Sequence, residues 1–544
     1  MPERLDLLQC HPLFDIAATR RIEGSAAAAL PPNALMQRAG LAVARLALAL
    51  APHARTVWIA CGPGNNGGDG LQAAIHLRQW GGNPIVTWLG TPERTPADAH
   101  AAWQRARAAG VRFADQPPSG LGAQDLCIDA LLGVGATRAP DGRMADWLRA
   151  LHIQPTPLLA VDLPTALNAD TGLTALEPTG SPVRHTLCLL TLKPGLFTAH
   201  GRDACGQIWF DDLGVTPDEP PTAWLSGPPI PAHRYHASHK GSYGDVAVIG
   251  GAGIVVAPPR SPASHGALPP KGAAPPWERP GGGEMAPPRS PASHGALPPE
   301  GAAPPWERPG GGAMIGAALL AARAALHAGA GRVWVSLLGE SGPLHDAAQP
   351  ELMFRPPAAL PLRDLTVVCG CGGGQAVAAL LPAVLQDAAR LVLDADALNA
   401  LAASPALAER LRSRQNQPTV LTPHPLEAAR LLGVHTGDVQ RDRLAAARTL
   451  AERFQCTVAL KGSGTVVAAP QRTPHLNPTG CARLATPGTG DVLAGLIGAR
   501  LAAGLSAFDA ACASVWQHGA IADRWNDTTA LTADALARAL TACA

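Results

Sequence analysis

The chain has 544 residues, 47% of them hydrophobic, and a formal net charge of +1. That length holds about three to four average domains, or two large α/β ones, and near-neutrality argues against nucleic acid or an anionic membrane as partner. The eleven cysteines include no CxxC pair, only Cys369 and Cys371 as a CxC, which reads as reduced thiols. With no signal-peptide layout in residues 1–6 and no apolar run of about 18–20 residues, the expectation is a soluble, cytoplasmic protein.

In the first half, helical periodicity covers residues 34–50, 71–80 and 97–109. Short apolar runs at 56–61, 84–89, 125–130, 157–161 and 186–192 read as strands. This alternation predicts parallel βαβ units. A Pro-rich stretch at 227–231 reads as a linker, so domains are expected at 1–226 and 227–544. The pattern then restarts, with strands at 245–249, 332–337, 365–369, 390–393, 419–421 and 457–460. Helices are expected at 315–328, 438–453 and 492–503.

Residues 257–285 recur as 286–314 with two changes, Lys271 to Glu300 and Glu284 to Ala313. This Pro/Gly-rich composition cannot bury a core, and two copies are too few for a solenoid, so the pair reads as a duplicated, disordered insertion. It falls in the turn between a strand and the helix beginning near residue 315. Lengthening such a loop from about five to about sixty residues costs about 2 kcal/mol in closure entropy, which folding survives.

Two Gly-rich stretches suggest two active sites. Residues 485–495 form a Gly-rich turn opening an apolar helix, with Asp491 in its first turn. Gly488, Thr489 and Gly490 there offer backbone N–H groups to an anion, and Asp491 beside them is placed to take a proton from a substrate hydroxyl. The bland alternative is an Asp that only caps a helix. Lys461, Gly462, Ser463, Gly464 and Thr465 follow a strand and suit nucleotide phosphates, or make a plain hairpin turn. Glycines after Cys369, Gly372 among them, permit close backbone approach to a ligand. Asp394 and Asp396 bracket a strand end and either organise Mg²⁺ or cap a helix. The other stretch, residues 62–70, lies in the first half.

Read together, further motifs add to these. The first half contains Met36-Gln37-Arg38-Ala39-Gly40, the 62–70 loop, Asp129-Ala130-Leu131-Leu132-Gly133-Val134-Gly135, Val161-Asp162-Leu163-Pro164 and Leu192-Lys193-Pro194-Gly195-Leu196. It resembles the NAD(P)H-hydrate epimerase family. The second half contains Gly250-Gly251-Ala252-Gly253, Gly316-Ala317, Pro350-Glu351-Leu352-Met353 and Leu393-Asp394-Ala395-Asp396-Ala397-Leu398-Asn399. Thr422-Pro423-His424-Pro425, Leu460-Lys461-Gly462 and the 485–495 loop follow. It is similar to the ADP-dependent NAD(P)H-hydrate dehydratases. Order and fusion match the bifunctional NAD(P)H-hydrate repair family.

The resemblance implies a Rossmann-like three-layer αβα domain followed by a ribokinase-like αβα domain. It implies epimerisation of the R and S forms of NADH and NADPH hydrated at C6, then ADP-dependent dehydration of the S form. By the same resemblance, Asn65, Asn66, Gly67, Gly68, Asp69 and Gly70 contact the epimerase substrate. So do Gly133, Val134, Gly135, Ala136, Thr137, Arg138 and Ala139, while Asp162 binds it or moves a proton near the epimerising carbon. Asn66, Asp129 and Thr165 are implied K⁺ ligands. Gly316, Ala317, Gly372, His424 and Asp491 are implied to meet the hydrated nucleotide, with Lys461 to Thr465 and Gly490 near ADP; Mg²⁺ is the expected ion of this second domain. Lys193 is either functional or closes the sheet edge, and a homo-oligomer is left open.

Four departures stand out. Thr165-Ala166 replaces the family's Ser-Gly, and Ala adopts a positive φ less readily than Gly. Leu426 replaces the usual Gly after His424-Pro425, and Cys481 and Pro487 stand where Asn and a small residue are common. Two other functions stay open: a ribokinase-like small-molecule kinase, or a nucleotide-binding protein whose dehydratase the insertion has disabled.

Overall fold

A computed structural model of the chain describes residues 2–135, 139–174, 183–230, 236–252, 314–339, 345–526 and 528–541. Two sheets, each flanked by helices, organise it. The first has eight strands in the order Glu3–Arg4, Gln207–Asp211, Arg184–Leu189, Leu158–Val161, Leu126–Ala130, Val57–Cys61, Pro84–Trp88, Arg112–Phe113. All pairs are parallel except the outermost, Glu3–Arg4 against Gln207–Asp211. Every residue of Val57–Cys61 and Leu126–Ala130 is buried, as a parallel strand covered on both faces requires.

The helix Ala34–Leu50 has the bounds its periodicity predicts, whereas the helix expected at 71–80 begins at Asn65. Its first turns run through the glycines because side chains cannot fit there. A Cβ at Gly67 would stand 2.0 Å from Gly62 O, and one at Gly70 would stand 2.7 Å from Ala130 Cβ. Close packing against the strand ends therefore overrides the poor helix propensity of glycine.

The second sheet has eleven strands: Met353–Phe354, Arg332–Leu338, Asp245–Ala252, Thr366–Cys369, Arg390–Leu393, Thr419–Leu421, Thr457–Leu460, Val466–Ala469, Arg472–Leu476, Ala223–Leu225, His11–Leu13. The last two come from before residue 226. Ala223–Leu225 pairs parallel with Arg472–Leu476 and antiparallel with His11–Leu13, so the sheets do not divide the chain at 226/227. Leu13 and Leu225 are fully buried, each contributing about 1.5–3 kcal/mol to that seam. One apolar cluster joins Leu13, Leu167 and Leu196 to Val458, Leu460 and Leu476.

The helix expected at 438–453 is two helices, Thr436–Arg441 and Arg443–Phe454, because the Asp442 side chain accepts from Ala445 N and restarts the turn. The hairpin strands Val466–Ala469 and Arg472–Leu476 have no counterpart among the predicted elements. Residues 257–313, which hold nearly all of the duplicated segment, lie outside the described residues. Their flanks are built: Ile315–His327 packs on Thr489–Ala502, where a Cβ at Gly495 would stand 2.0 Å from Ala321 O.

Candidate active sites

The first site is a cavity of about 540 Å³ at the C-terminal ends of the first sheet, where ligands of parallel sheets collect. Asn65, Asn66 and Asp69 line it, along with Gly133, Val134, Gly135, Asp162 and Lys193. The three polar residues share one face of the helix Asn65–Gln79, while Gly67, Gly68 and Gly70 are buried behind them. Ala139 is exposed and is not among the lining residues. Ala136, Thr137 and Arg138 lie outside the described residues.

Asp162 sits at φ +66°, a left-handed conformation that costs an Asp about 1 kcal/mol and aims its carboxyl into the cavity. Lys193 Nζ is bonded to Asp162 Oδ1 and to Leu189 O at 2.8 Å. Burial pulls the Lys193 ammonium down, but Asp162 and Cys188 together hold it above the ordinary range. Lys193 is 1% exposed, which places it in the cavity wall rather than at an open sheet edge. Burial, then Asp162 and Glu23, push Asp69 well above the usual carboxylate range. Glu23, lining the same cavity, carries no signal in the sequence reading.

Asp129 and Thr165 meet behind this wall. Thr165 Oγ1 donates to Asp129 Oδ1 at 2.7 Å and Thr165 N to Asp129 Oδ2 at 2.9 Å. Leu132 N donates to Thr165 Oγ1 at 3.0 Å. The next residue, Gly133, stands where a Cβ would be 3.1 Å from Asn66 Oδ1 and 3.2 Å from Asp162 Oδ2. Asn66 Nδ2 is buried without a hydrogen-bond partner. Ala166 takes φ +75°, so this chain adopts the left-handed turn despite lacking glycine there.

The second site lies at the C-terminal ends of Thr366–Cys369, Arg390–Leu393, Thr419–Leu421 and Thr457–Leu460. Asp491 is in the first turn of the 14-residue helix Thr489–Ala502, behind Gly488 at φ +89°. Burial and then Asp394 push its carboxyl up to about 7. Lys461 Nζ lies 2.7 Å from Asp394 Oδ1 and would be 3.4 Å from a Cβ at Gly490. Burial opposes the Lys461 charge, yet Asp394 and Glu427 raise its affinity for the proton. Thr422 Oγ1 donates to Asp394 Oδ1 at 2.6 Å. His518 Nε2 donates to Thr489 O at 2.9 Å, and burial lowers its imidazole to about 4, so a neutral ring pins the first turn of that helix.

His424 starts the helix Pro425–Leu432. Its Nδ1 accepts from Leu426 N at 3.2 Å and Glu427 N at 3.3 Å. Burial and Lys461 lower it to about 4, and its Nε2 faces Glu427 Oε1 at 3.3 Å. Glu427 itself accepts from His424 N at 2.8 Å, and burial raises it to about 7. Gly372, at φ +62°, touches the first turn of Ile315–His327, where a Cβ would stand 2.9 Å from Ala317 Cβ. Gly316 opens that turn with nothing packed over it within 4 Å.

Not all of the expected nucleotide loop joins this cluster. Lys461 does, but Ser463 and Gly464 are seated on the first unit. Ala199 N donates to Ser463 O at 3.2 Å, Ser463 Oγ donates to Ala199 O at 2.8 Å, and a Cβ at Gly464 would stand 2.2 Å from Phe197 O. Gly462, at φ +136°, lies against the buried Arg443 guanidinium instead. Asp396 Oδ2 accepts from Gly374 N at 2.8 Å, tying down the glycine turn. Cys371 Sγ, Asp394 and Asp491 offer ligand atoms within 4.8 Å of one another. Burial and both carboxylates keep the Cys371 thiol well above its ordinary range.

The described cysteines are all free, and no described helix is long and apolar enough to cross a membrane. Residues 310–542 match the family described as NAD(P)H-hydrate dehydratase, and residues 32–195 match the YjeF-related protein N-terminus. The bifunctional NAD(P)H-hydrate repair enzyme Nnr of Escherichia coli is 34% identical over 520 residues, spanning 90% of this chain and 84% of its own. That of Coxiella burnetii is 32% identical over 508 residues, spanning 90% of each. The ADP-dependent (S)-NAD(P)H-hydrate dehydratase of Neisseria meningitidis is 42% identical over 229 residues, 41% of this chain and 77% of that one. With two such relatives aligned across nearly its whole length, the chain belongs to the family of bifunctional NAD(P)H-hydrate repair enzymes.

Proposed function

We propose that the chain restores NADH and NADPH that have taken up water at C6 of the nicotinamide ring. The first unit interconverts the R and S hydrates. The second transfers the terminal phosphoryl group of ADP to the S hydroxyl and eliminates phosphate, giving NAD(P)H and AMP.

The observation that carries the second step is Asp491, a carboxyl raised to about 7 at the mouth of an amide-lined turn. A base of that strength is half ionised at neutral pH and suited to accept the hydroxyl proton as oxygen attacks phosphorus. The N–H groups of Gly488 and Gly490 stabilise the charge developing on the phosphoryl oxygens, while Thr489 N is turned back onto Thr486 O at 3.4 Å. Lys461, beside Asp394 and Gly490, adds a fixed positive charge for the nucleotide phosphates, and His424 presents an uncharged imidazole to the hydrated ring.

Asn66, Asp129 and Thr165 fit a K⁺ ion chemically, as hard oxygen donors. The buried, unpartnered amide end of Asn66 can turn its carbonyl inward to serve as one of them. The ion would supply positive charge for the substrate phosphates. Asp162, next to Lys193, handles the proton at the epimerising centre. The other cluster does not fit a resident Mg²⁺: one of its three donors is sulfur, and Lys461 already occupies Asp394. An ion that demands six oxygens would arrive with the nucleotide.

The test is to incubate the full chain with hydrated NADH and ADP and follow NADH absorbance. Recovery in a fast phase from the S form and a slower one from the R form is expected. Unchanged absorbance, with ADP consumed on a small alcohol instead, would favour a ribokinase-like kinase.

A further inference from the structure

We propose that Glu23 is a catalytic residue of the epimerase site, moving the proton at the ring nitrogen while Asp162 moves the one at the hydroxyl. This rests on the epimerase reading of the first cavity. The carbon that must invert carries both the hydroxyl and the ring nitrogen, so it is a hemiaminal. Inversion without external reagents opens the C6–N1 bond. A base takes the O–H proton, the C6–O bond becomes a carbonyl, C6–N1 breaks, and N1 receives a proton. Rotation about C5–C6 exposes the other face. N1 then returns its proton to the same donor, attacks the carbonyl, and the new alkoxide recovers the first proton. Two proton-handling groups are therefore needed, on two sides of one ring.

Asp162 is fixed on one wall by Lys193 and by Leu189 N at 3.4 Å. The second group comes from the helix Ile16–Ala29. Thr19, Arg20, Glu23 and Ala27 line the cavity, and Thr19, Glu23 and Ala27 follow a four-residue spacing that puts them on one helical face. The helix is anchored there. Ala18, Thr19 and Ile22 are buried, Thr19 Oγ1 is hydrogen-bonded to Thr191 Oγ1 at 2.8 Å, and Ile16 N donates to Asp170 Oδ1 at 2.8 Å. Glu23 is thus held over the segment that carries Lys193, yet it has no hydrogen bond or ion pair among the described residues. A half-buried carboxyl with nothing to satisfy it, facing a cavity, is free for a ligand. Burial first, then Asp162, raise its proton affinity, which suits a group that must hold a proton to give. The helix lies before the segment that matches the family, residues 32–195.

The experiment uses the full chain with ADP and a mixture of hydrate epimers, the S form being consumed first and the slow phase reporting epimerisation above the spontaneous rate. Glu23→Gln should slow that phase at least about 100-fold, as loss of one general acid does. The fast phase, the KM for the R hydrate and the melting temperature should stay near wild type, and Glu23→Asp should recover part of the rate. Asp69, Asp98, Asp162, Arg20 and Lys193 surround Glu23. The alkaline decline of the wild-type slow phase should nevertheless vanish in Glu23→Gln and persist in Asp69→Asn. Asp162→Asn separates the outcomes. If it too keeps a wild-type slow phase, the epimerase reading falls and this assignment falls with it. If it loses that phase while Glu23→Gln keeps it, or if Glu23→Gln changes only KM, Glu23 is not a proton carrier.

Discussion

Replacing Asp491 by Asn should abolish dehydration and, at the same time, make the second unit harder to melt. The carboxyl rises from 3.8 to about 7 on folding. At about 1.4 kcal/mol per tenfold change in proton affinity, its ionised form costs the folded state about 4 kcal/mol. A carboxyl whose affinity for the proton is higher when folded destabilises as pH rises through the interval between the two values. The penalty is absent below about pH 4 and complete above about pH 7. An Asn amide carries no charge but still loses water on burial, so about half of the penalty, about 2 kcal/mol, should be regained. For a unit of 150–250 residues that is about 4–8 °C in melting temperature. Calorimetry at pH 8 and pH 4.5, with NADH recovery measured on the same preparations, checks this. The gain should be large at pH 8 and shrink at pH 4.5. A variant that is inactive and equally or less stable at pH 8 would refute the account of Asp491 as a buried, strained base.

Because Asp491 must be ionised to act, dehydratase kcat/KM should climb as pH rises through about 7. Glu427 is also raised to about 7 and lies near Lys461, so the profile should be repeated in Glu427→Gln; a limb that disappears there belongs to Glu427 instead. Ala166→Gly relieves a positive φ and should stabilise the first unit by about 0.5–1 kcal/mol, seen as a higher melting temperature with epimerase activity intact. Gly464→Ala drives a Cβ to within 2.2 Å of Phe197 O and should cost about 2 kcal/mol or more, read as earlier proteolysis between the units. Deleting residues 257–313 should leave dehydration within about threefold, because a Cβ at Gly251 already stands 3.2 Å from Ile315 Cα and the six residues left between them can close so short a gap; a tenfold change either way contradicts it.

What the sequence could reveal follows from how far each signal reaches along the chain. Strands such as Arg390–Leu393 and Thr457–Leu460 are buried on both faces, so each announces itself as a local apolar run. The seam strands His11–Leu13 and Ala223–Leu225 owe their state to partners more than two hundred residues away, and nothing local marks them. The same division runs through the sites. Asp491, Asp162 and the Asn65–Asp69 cluster stand beside glycines or a proline that single them out locally, and the fold sets Asn65, Asn66, Asp69 and Asp162 around one cavity and Asp491 at the start of a buried helix. Glu23, Glu427 and His518 lie in ordinary helices and acquire meaning only from what folding brings opposite them. Even within one loop the signal splits, since Lys461 turns to Asp394 while Ser463, two residues on, bonds to Ala199 of the other unit. Residues 461–465 therefore face two ways: Ser463 and Gly464 are seated on the first unit, while Lys461 reaches the Asp394 carboxylate of the second site.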